Sequence, residues 1–232
     1  MKIAVINFHG GVGKSTVSRH LLLPRLKNAR LIAVESINTG AGADETYRGD
    51  EYREIMRDFL SHDHVVLDVG ASNIESFLNE MNRFEGSHEN INFFVVPAGP
   101  NTKVQLDTMS TLKELANIGV PSHKVRLLMN MKPRSKEVEQ VFYPLINYHA
   151  AFNNFVLNKE AAIDDCPEVF QFLLQSKKEL LELVEDQTDY MRLMNAAEST
   201  EDKDRYYELL SMKQLAGRVQ KNLDAVFTAL FK

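Results

Sequence analysis

The residues of this chain best equipped for chemistry lie together near its start: Asn7-Phe8-His9-Gly10-Gly11-Val12-Gly13-Lys14-Ser15-Thr16. Three glycines within four positions let backbone N–H groups turn toward an anion with no side chain in the way. Lys14 offers an ammonium to the β- and γ-phosphates of a nucleotide, and the Ser15 hydroxyl is a ligand for Mg²⁺. A helix that begins at such a loop presents the positive end of its dipole to the same anion. Residues 10–16 are therefore expected to bind a nucleoside triphosphate with Mg²⁺: Gly10, Gly11, Val12 and Gly13 through the backbone, and Lys14, Ser15 and Thr16 at the helix start.

Such a loop needs a strand before it and a helix after it. The run Ile3-Ala4-Val5-Ile6 supplies the strand, and further short runs rich in Val, Ile, Leu or Phe follow at 31–34, 64–68, 91–96 and 125–129. None alternates with polar residues, as expected of strands buried on both faces of a parallel sheet. Helix-like stretches at 15–26, 46–60, 74–84, 102–118 and 135–147 lie between them. The order predicts an α/β fold with a doubly wound, mostly parallel sheet. A weaker strand is expected at 155–157, and Asn73 is expected to cap the helix that follows it. From Pro167 the pattern is helical only. Ser199-Thr200-Glu201-Asp202 reads as a break with an N-cap, so two helices are expected there. The chain divides into a nucleotide-binding α/β part, residues 1–166, and a helical extension packed on it, residues 167–232.

The loop departs from G-x-x-x-x-G-K-[ST], because Phe8 stands where the first glycine belongs. It fits K-G-G-x-G-K-[ST], with His9 in the place of the first lysine. In this the chain resembles the ParA/MinD family of P-loop ATPases with a deviant Walker A motif. Within that family it looks like the plasmid-encoded StbB-like and TraL-like branch, which combines an N-terminal Walker A region with a helical tail. The resemblance implies a SIMIBI-like P-loop fold, ATP or ADP with Mg²⁺, and a nucleotide-dependent homodimer. Asp68, after Val65-Val66-Leu67, would hold Mg²⁺ through water, and Gly70 would let the next turn follow the γ-phosphate. Glu35 stands where relatives carry the acid that positions the attacking water. Ile37 stands where they carry a second acid. Asn130 would read the adenine ring, and Pro167 would flank it. In the family the first loop lysine reaches the partner's nucleotide; His9, in its place, is counted with the nucleotide-binding residues but is shorter, so hydrolysis is expected to be weak or partner-dependent, and dimerisation weaker.

The bulk properties narrow the setting. A net charge of −5 over 232 residues argues against a broad DNA-binding face. Direct DNA contact is expected to be weak, with a DNA-binding partner protein supplying sequence specificity. Lys132, Arg134 and Lys136 read as a solvated helix start, and His62 and His64 lack a third ligand for a zinc site. One cysteine, Cys166, allows no intrachain disulfide, and the N-terminal apolar run is too short for a signal core, so a cytoplasmic setting is expected. The last helix bears Arg218, Lys221 and Lys232 but also Asp224, so it is expected to pack on protein rather than on a membrane. The resemblance implies a nucleotide switch in plasmid partition, stability, positioning or conjugative transfer. Two alternatives stand beside it: a hydrolysis-deficient nucleotide-binding scaffold, and a metabolic P-loop ligase of the dethiobiotin-synthetase type. For the ligase, no additional converging set of Lys, Ser and acid is found.

Overall fold

The computed structural model describes residues 1–36 and 42–232; Ile37 lies outside them. Seven strands form one parallel sheet: β1 (Lys2–Val5), β2 (Arg30–Val34), β3 (Glu45–Tyr47), β4 (Val65–Val69), β5 (Phe93–Ala98), β6 (Val125–Lys132) and β7 (Ala162–Asp164). Their spatial order is β3-β2-β4-β1-β5-β6-β7. β1 is central, so the loop that follows it opens in the middle of the sheet's carboxyl edge, where α/β folds collect ligands.

Successive residues of a strand face opposite sides, and the core divides accordingly. Ala4 and Ile6 face a cluster built with α2 (Tyr52–Ser61), α3 (Ile74–Arg83), α4 (Thr102–Asn117), α5 (Val138–Val141) and α6 (Tyr143–Phe152). Ile3 and Val5 face the other, shared by the segment after the loop and the C-terminal helices. Leu21 and Leu22 meet Val169 and Leu173 of α7 (Pro167–Ser176), Leu183 of α8 (Leu180–Glu185), and Val219, Leu223 and Val226 of α10 (Thr200–Leu230). With α9 (Tyr190–Ala196), the tail holds four helices rather than the two expected. The expected cap is present: Ser199 Oγ accepts from Asp202 N at 3.0 Å.

Several expected elements differ. The helix after the loop is α1 (Lys14–Thr16), a π-helical stretch Val17–Leu22 and a 3₁₀ turn Leu23–Arg25; Pro24 has no N–H to continue an α ladder. The start of the helix expected at 46–60 is instead the edge strand β3, where Thr46 and Tyr47 favour extended backbone. The helix expected at 135–147 breaks at Phe142, with Pro144 in the first turn of α6, a position that needs no N–H donor. At 155–157 there is only a single bridge, Arg126 to Val156, and β7 takes the edge instead.

Asn222 of α10 closes the outer side of that edge. Its Oδ1 accepts from Asp164 N at 3.0 Å and its Nδ2 donates to the Ala162 carbonyl at 3.3 Å. Arg25 donates to Asp224 Oδ1 from Nε at 3.0 Å and Nη2 at 2.6 Å. Among the described residues no helix is long and apolar enough to cross a membrane. Leu223 is 1% exposed, so Leu223→Ala is expected to lower the unfolding free energy by about 2–5 kcal/mol. Urea titration would show a lower midpoint with an unchanged slope, while Arg218→Ala, on the exposed side, stays within about 0.5 kcal/mol.

Candidate functional site

β1 delivers Asn7, Phe8 and His9 to the sheet edge, and α4 grips all three. Asn7 Nδ2 donates to the Pro97 carbonyl at 2.7 Å and to Thr108 Oγ1 at 2.8 Å. Phe8 N donates to Thr111 Oγ1 at 3.0 Å, and His9 Nδ1 lies 2.6 Å from Asp107 Oδ2. Thr108 and Thr111 are fully buried. Sequence reasoning missed this grip; its trace is a pair of hydroxyls three residues apart on a helix face that also buries Gln105, Leu112 and Leu115. His9 is thus held by its own chain.

Lys14 curls back over the loop, and its Nζ donates to the carbonyls of Asn7 at 3.0 Å and His9 at 2.9 Å. Burial pulls its pKa below the usual lysine value, with Asp68 and Glu35 pulling the other way. Asp68 is the penultimate residue of β4 and is buried. Burial raises its pKa, opposed by the Ser15 hydroxyl and by Lys14 and Arg19. Among the described residues Asp68 Oδ1 has no partner. A buried carboxylate oxygen without a donor is unfavourable. Beside the Ser15 hydroxyl it forms the hard-oxygen donor set that Mg²⁺ takes, so the residues present fit the ion.

Glu35, at the end of β2, is half-buried. Its pKa is raised by burial and then by Asp68, while Lys14 lowers it. Its carboxylate occupies the place a Cβ on Gly70 would take, 2.6 Å from Oε1. Gly70 thus makes room for Glu35, a reason the sequence did not suggest. Asn73 stands at the N-cap of α3 but its side chain does not cap the helix, contrary to expectation. It ties three loops together instead: Oδ1 accepts from Gly49 N at 2.9 Å, and Nδ2 donates to Ser36 Oγ at 2.9 Å and Ser72 Oγ at 3.1 Å.

Gly10, Gly11, Gly13, Lys14, Ser15 and Thr16 line a cavity of about 460 Å³ with Glu35 and Gly70. It adjoins a larger one, about 900 Å³, bordered by Thr16, Asn130, Met131, Cys166, Pro167 and Phe170. Lys14, Ser15, Glu35 and Asp68 therefore come together, with Asn130 and Pro167 at the second cavity. Val12 contributes a buried side chain and a carbonyl that accepts from Asn130 Nδ2 at 2.8 Å. His9, expected among the nucleotide-binding residues, borders neither cavity, because its ring is turned to Asp107 of α4. Lys132 pairs with Asp164 at 2.9 Å rather than standing free in a basic cluster. His62 pairs with Asp58 and His64 with the N-terminal amine.

No family model and no curated protein matches the chain. Solved structures do. MinD of Pyrococcus horikoshii OT3, complexed with Mg-ADP, is 15% identical over 94% of this chain and 97% of that one, with a TM-score of 0.50. Apo McdA from Cyanothece is 12% identical over 90% and 98%, with a TM-score of 0.51. A Borrelia burgdorferi B31 protein described as a plasmid partition protein, bound to AMPPNP, is 10% identical over 92% and 98%, with a TM-score of 0.50. The chain has the MinD-type P-loop fold. In this MinD-type fold the glycine loop, the end of β4 and the end of β2 meet at one sheet edge, which the strand order alone enforces.

His20, which sequence reasoning passed over, also borders the larger cavity, with its ring 5.7 Å from that of Phe170. Burial, and then Arg19, hold its pKa down to about 4. Glu179 Oε2 lies 3.5 Å away, but that carboxylate is mostly exposed and its opposing pull is screened. The unfolded chain takes up this proton at about 6.5, so the stability His20 contributes is full above that pH and is lost as pH falls toward 4. Replacing it by leucine is expected to flatten the loss of stability between pH 6.5 and 4. Urea unfolding at a series of pH values tests this; an unchanged slope would refute it.

Proposed function

We propose that the chain is an ATP-binding P-loop ATPase that acts as a nucleotide switch in the partition, stability, positioning or conjugative transfer of a plasmid. The observation that carries the chemistry is the cluster of Lys14, Asp68 and Glu35 against the glycine loop, with Asp68 Oδ1 buried and, among the described residues, unpartnered. Lys14 exchanges the carbonyls of Asn7 and His9 for β- and γ-phosphoryl oxygens. Ser15 would ligate Mg²⁺ and Asp68 would hold it through water, and the ion would supply positive charge to offset that of the phosphoryl group. Glu35 orients the attacking water, and its raised pKa suits it to accept a proton. Residues 70–73, tied by Asn73 to the ends of β2 and β3, are the segment that rearranges with nucleotide state.

The setting is supported by the shared fold with MinD, McdA and a described partition protein, which favours the switch over the ligase alternative. The chain's negative charge supports specificity through a DNA-binding partner protein rather than a direct, strong DNA contact. The apolar side of α10 lies in the core, which speaks against membrane docking and fits a cytoplasmic protein. In this reading residues 1–166 carry the nucleotide chemistry and 167–232 form its cover. The tether of His9 to Asp107 favours slow hydrolysis and a weak nucleotide-dependent homodimer; taken further, it favours the scaffold that binds without turnover.

Steady-state hydrolysis, alone and with DNA or proteins encoded beside this one, is expected to fall by about a hundredfold or more in Lys14→Ala. Wild type that binds ATP yet never turns it over would leave the scaffold standing and end the switch. His9→Lys is expected to raise both turnover and ATP-dependent self-association, followed by light scattering; a variant that gains neither would contradict the role given to His9.

A further inference from the structure

Asn130 stands where the sequence expects a reader of the adenine ring, but its hydrogen bonds serve the phosphate loop. Nδ2 donates to the Val12 carbonyl at 2.8 Å, and Oδ1 accepts from Met131 N at 3.0 Å. The residue is 5% exposed. Its amide lies over Gly13: a Cβ there would come within 2.5 Å of Nδ2 and 3.4 Å of Met131 Cε. Gly13 has a φ of +79°, so both its backbone angle and its neighbours demand glycine.

Met131 itself is in the left-handed region, with φ at 57°. The β6–β7 register shifts between Met129 and Lys132. A non-glycine residue holds such a conformation only where its surroundings over-determine it, and such residues gather at functional sites. Here the bend brings Met131 against Gly13 while Asn130 holds Val12. Both close on the peptide between Val12 and Gly13, where the loop meets the helix.

An amide that reads adenine must offer an acceptor to the exocyclic amine and a donor to a ring nitrogen. One lone pair of the Asn130 oxygen and one of its N–H groups are engaged inside the chain, and at 5% exposure little of the amide edge is left for a base. Around the adjoining cavity Met131, Ile163, Pro167 and Phe170 contact any base without distinguishing its edge, while the polar side chains Gln171, Lys177, Lys178 and Glu179 of its lining are exposed to solvent. Asp164 is paired with Lys132. Asp165 is exposed and accepts from exocyclic amines, which adenine and guanine both carry.

We propose that Asn130 is a positioning residue that clamps the phosphate loop, and that the site selects its ligand by the triphosphate rather than by the base. The inference rests on the nucleotide-binding reading above and extends its substrate class to purine nucleoside triphosphates in general. Asn130→Asp is the discriminating variant: it keeps the side-chain size and the oxygen facing Met131 N, but replaces the donor to Val12 by an acceptor.

Titration calorimetry with Mg²⁺ and each of ATP, GTP and inorganic tripolyphosphate provides the test. Wild type is expected to bind ATP and GTP within about tenfold of one another. Asn130→Asp is expected to weaken all three ligands by a common factor of about tenfold or more, with Asn130→Ala, checked for folding by its thermal midpoint, showing the same pattern. Loss confined to ATP, with tripolyphosphate unaffected, would make Asn130 a base reader and overturn the clamp. So would undiminished binding of all three by Asn130→Asp, or a wild type that strongly rejects GTP. Wild type that binds none of the three overturns the nucleotide reading itself, and this inference with it; a Lys14→Ala variant that loses all three upholds that reading independently.

Discussion

A lysine ammonium that water barely reaches is the constraint around which this molecule is arranged. The Lys14 charge is tolerable because the carbonyls of Asn7 and His9 accept from it and because Asp68 and Glu35 lie close enough to oppose its desolvation. Each of those partners needs support of its own. Asn7 and His9 are fixed by Thr108 and Asp107 on α4, and Glu35 fits only because Gly70 has no side chain. Asp68 depends on β4 running beside β1 with Val5 opposite it. Shifting any of these strands by one residue would turn its carboxylate away from the loop.

This dependence explains which parts of the molecule the sequence made legible. The glycine loop is local, so spacing alone identified it. The central strands announced themselves by continuous apolar composition, because both of their faces are covered. β3 and β7 were harder to see: each is three residues long, and each sits at an edge where burial on one side leaves no distinctive pattern. The helix expected over 46–60 began too early because Thr46 and Tyr47 were joined to the periodicity of Tyr52, Ile55, Met56 and Phe59 across Arg48 and Gly49, where the apolar spacing stops. The fourfold division of the tail was hidden for a related reason, since short helices joined by tight turns keep nearly helical spacing of their apolar residues.

Within the site, identity was easier to read than orientation. Lys14, Ser15, Glu35 and Asp68 could be named from strand ends and loop position, and the fold brings them together. The direction of the Asn130 amide could not, because it depends on the left-handed bend at Met131 and on a register shift that no periodicity reports. Thr108 and Thr111 were passed over because a threonine on a helix is ordinarily exposed; their meaning appears only when Asn7 and Phe8 lie opposite. Asn73 shows the same limit, since its cap position was legible but its three partners come from separate loops.

The side chain of Asn222 has a consequence beyond holding α10 in place. A parallel sheet ends in a row of unsatisfied peptide groups, and such a row is a template on which another chain can add a strand. On the β7 side, Asn222 occupies the groups of Ala162 and Asp164 that an incoming strand would use. β3, at the opposite margin, has only three residues to offer. The molecule therefore resists edge-to-edge polymerisation by two different means, one a plug and one brevity. Loss of α10 would expose a sticky sheet margin as well as apolar surface, so a chain truncated before Thr200 would face precipitation into β-rich aggregates as well as instability.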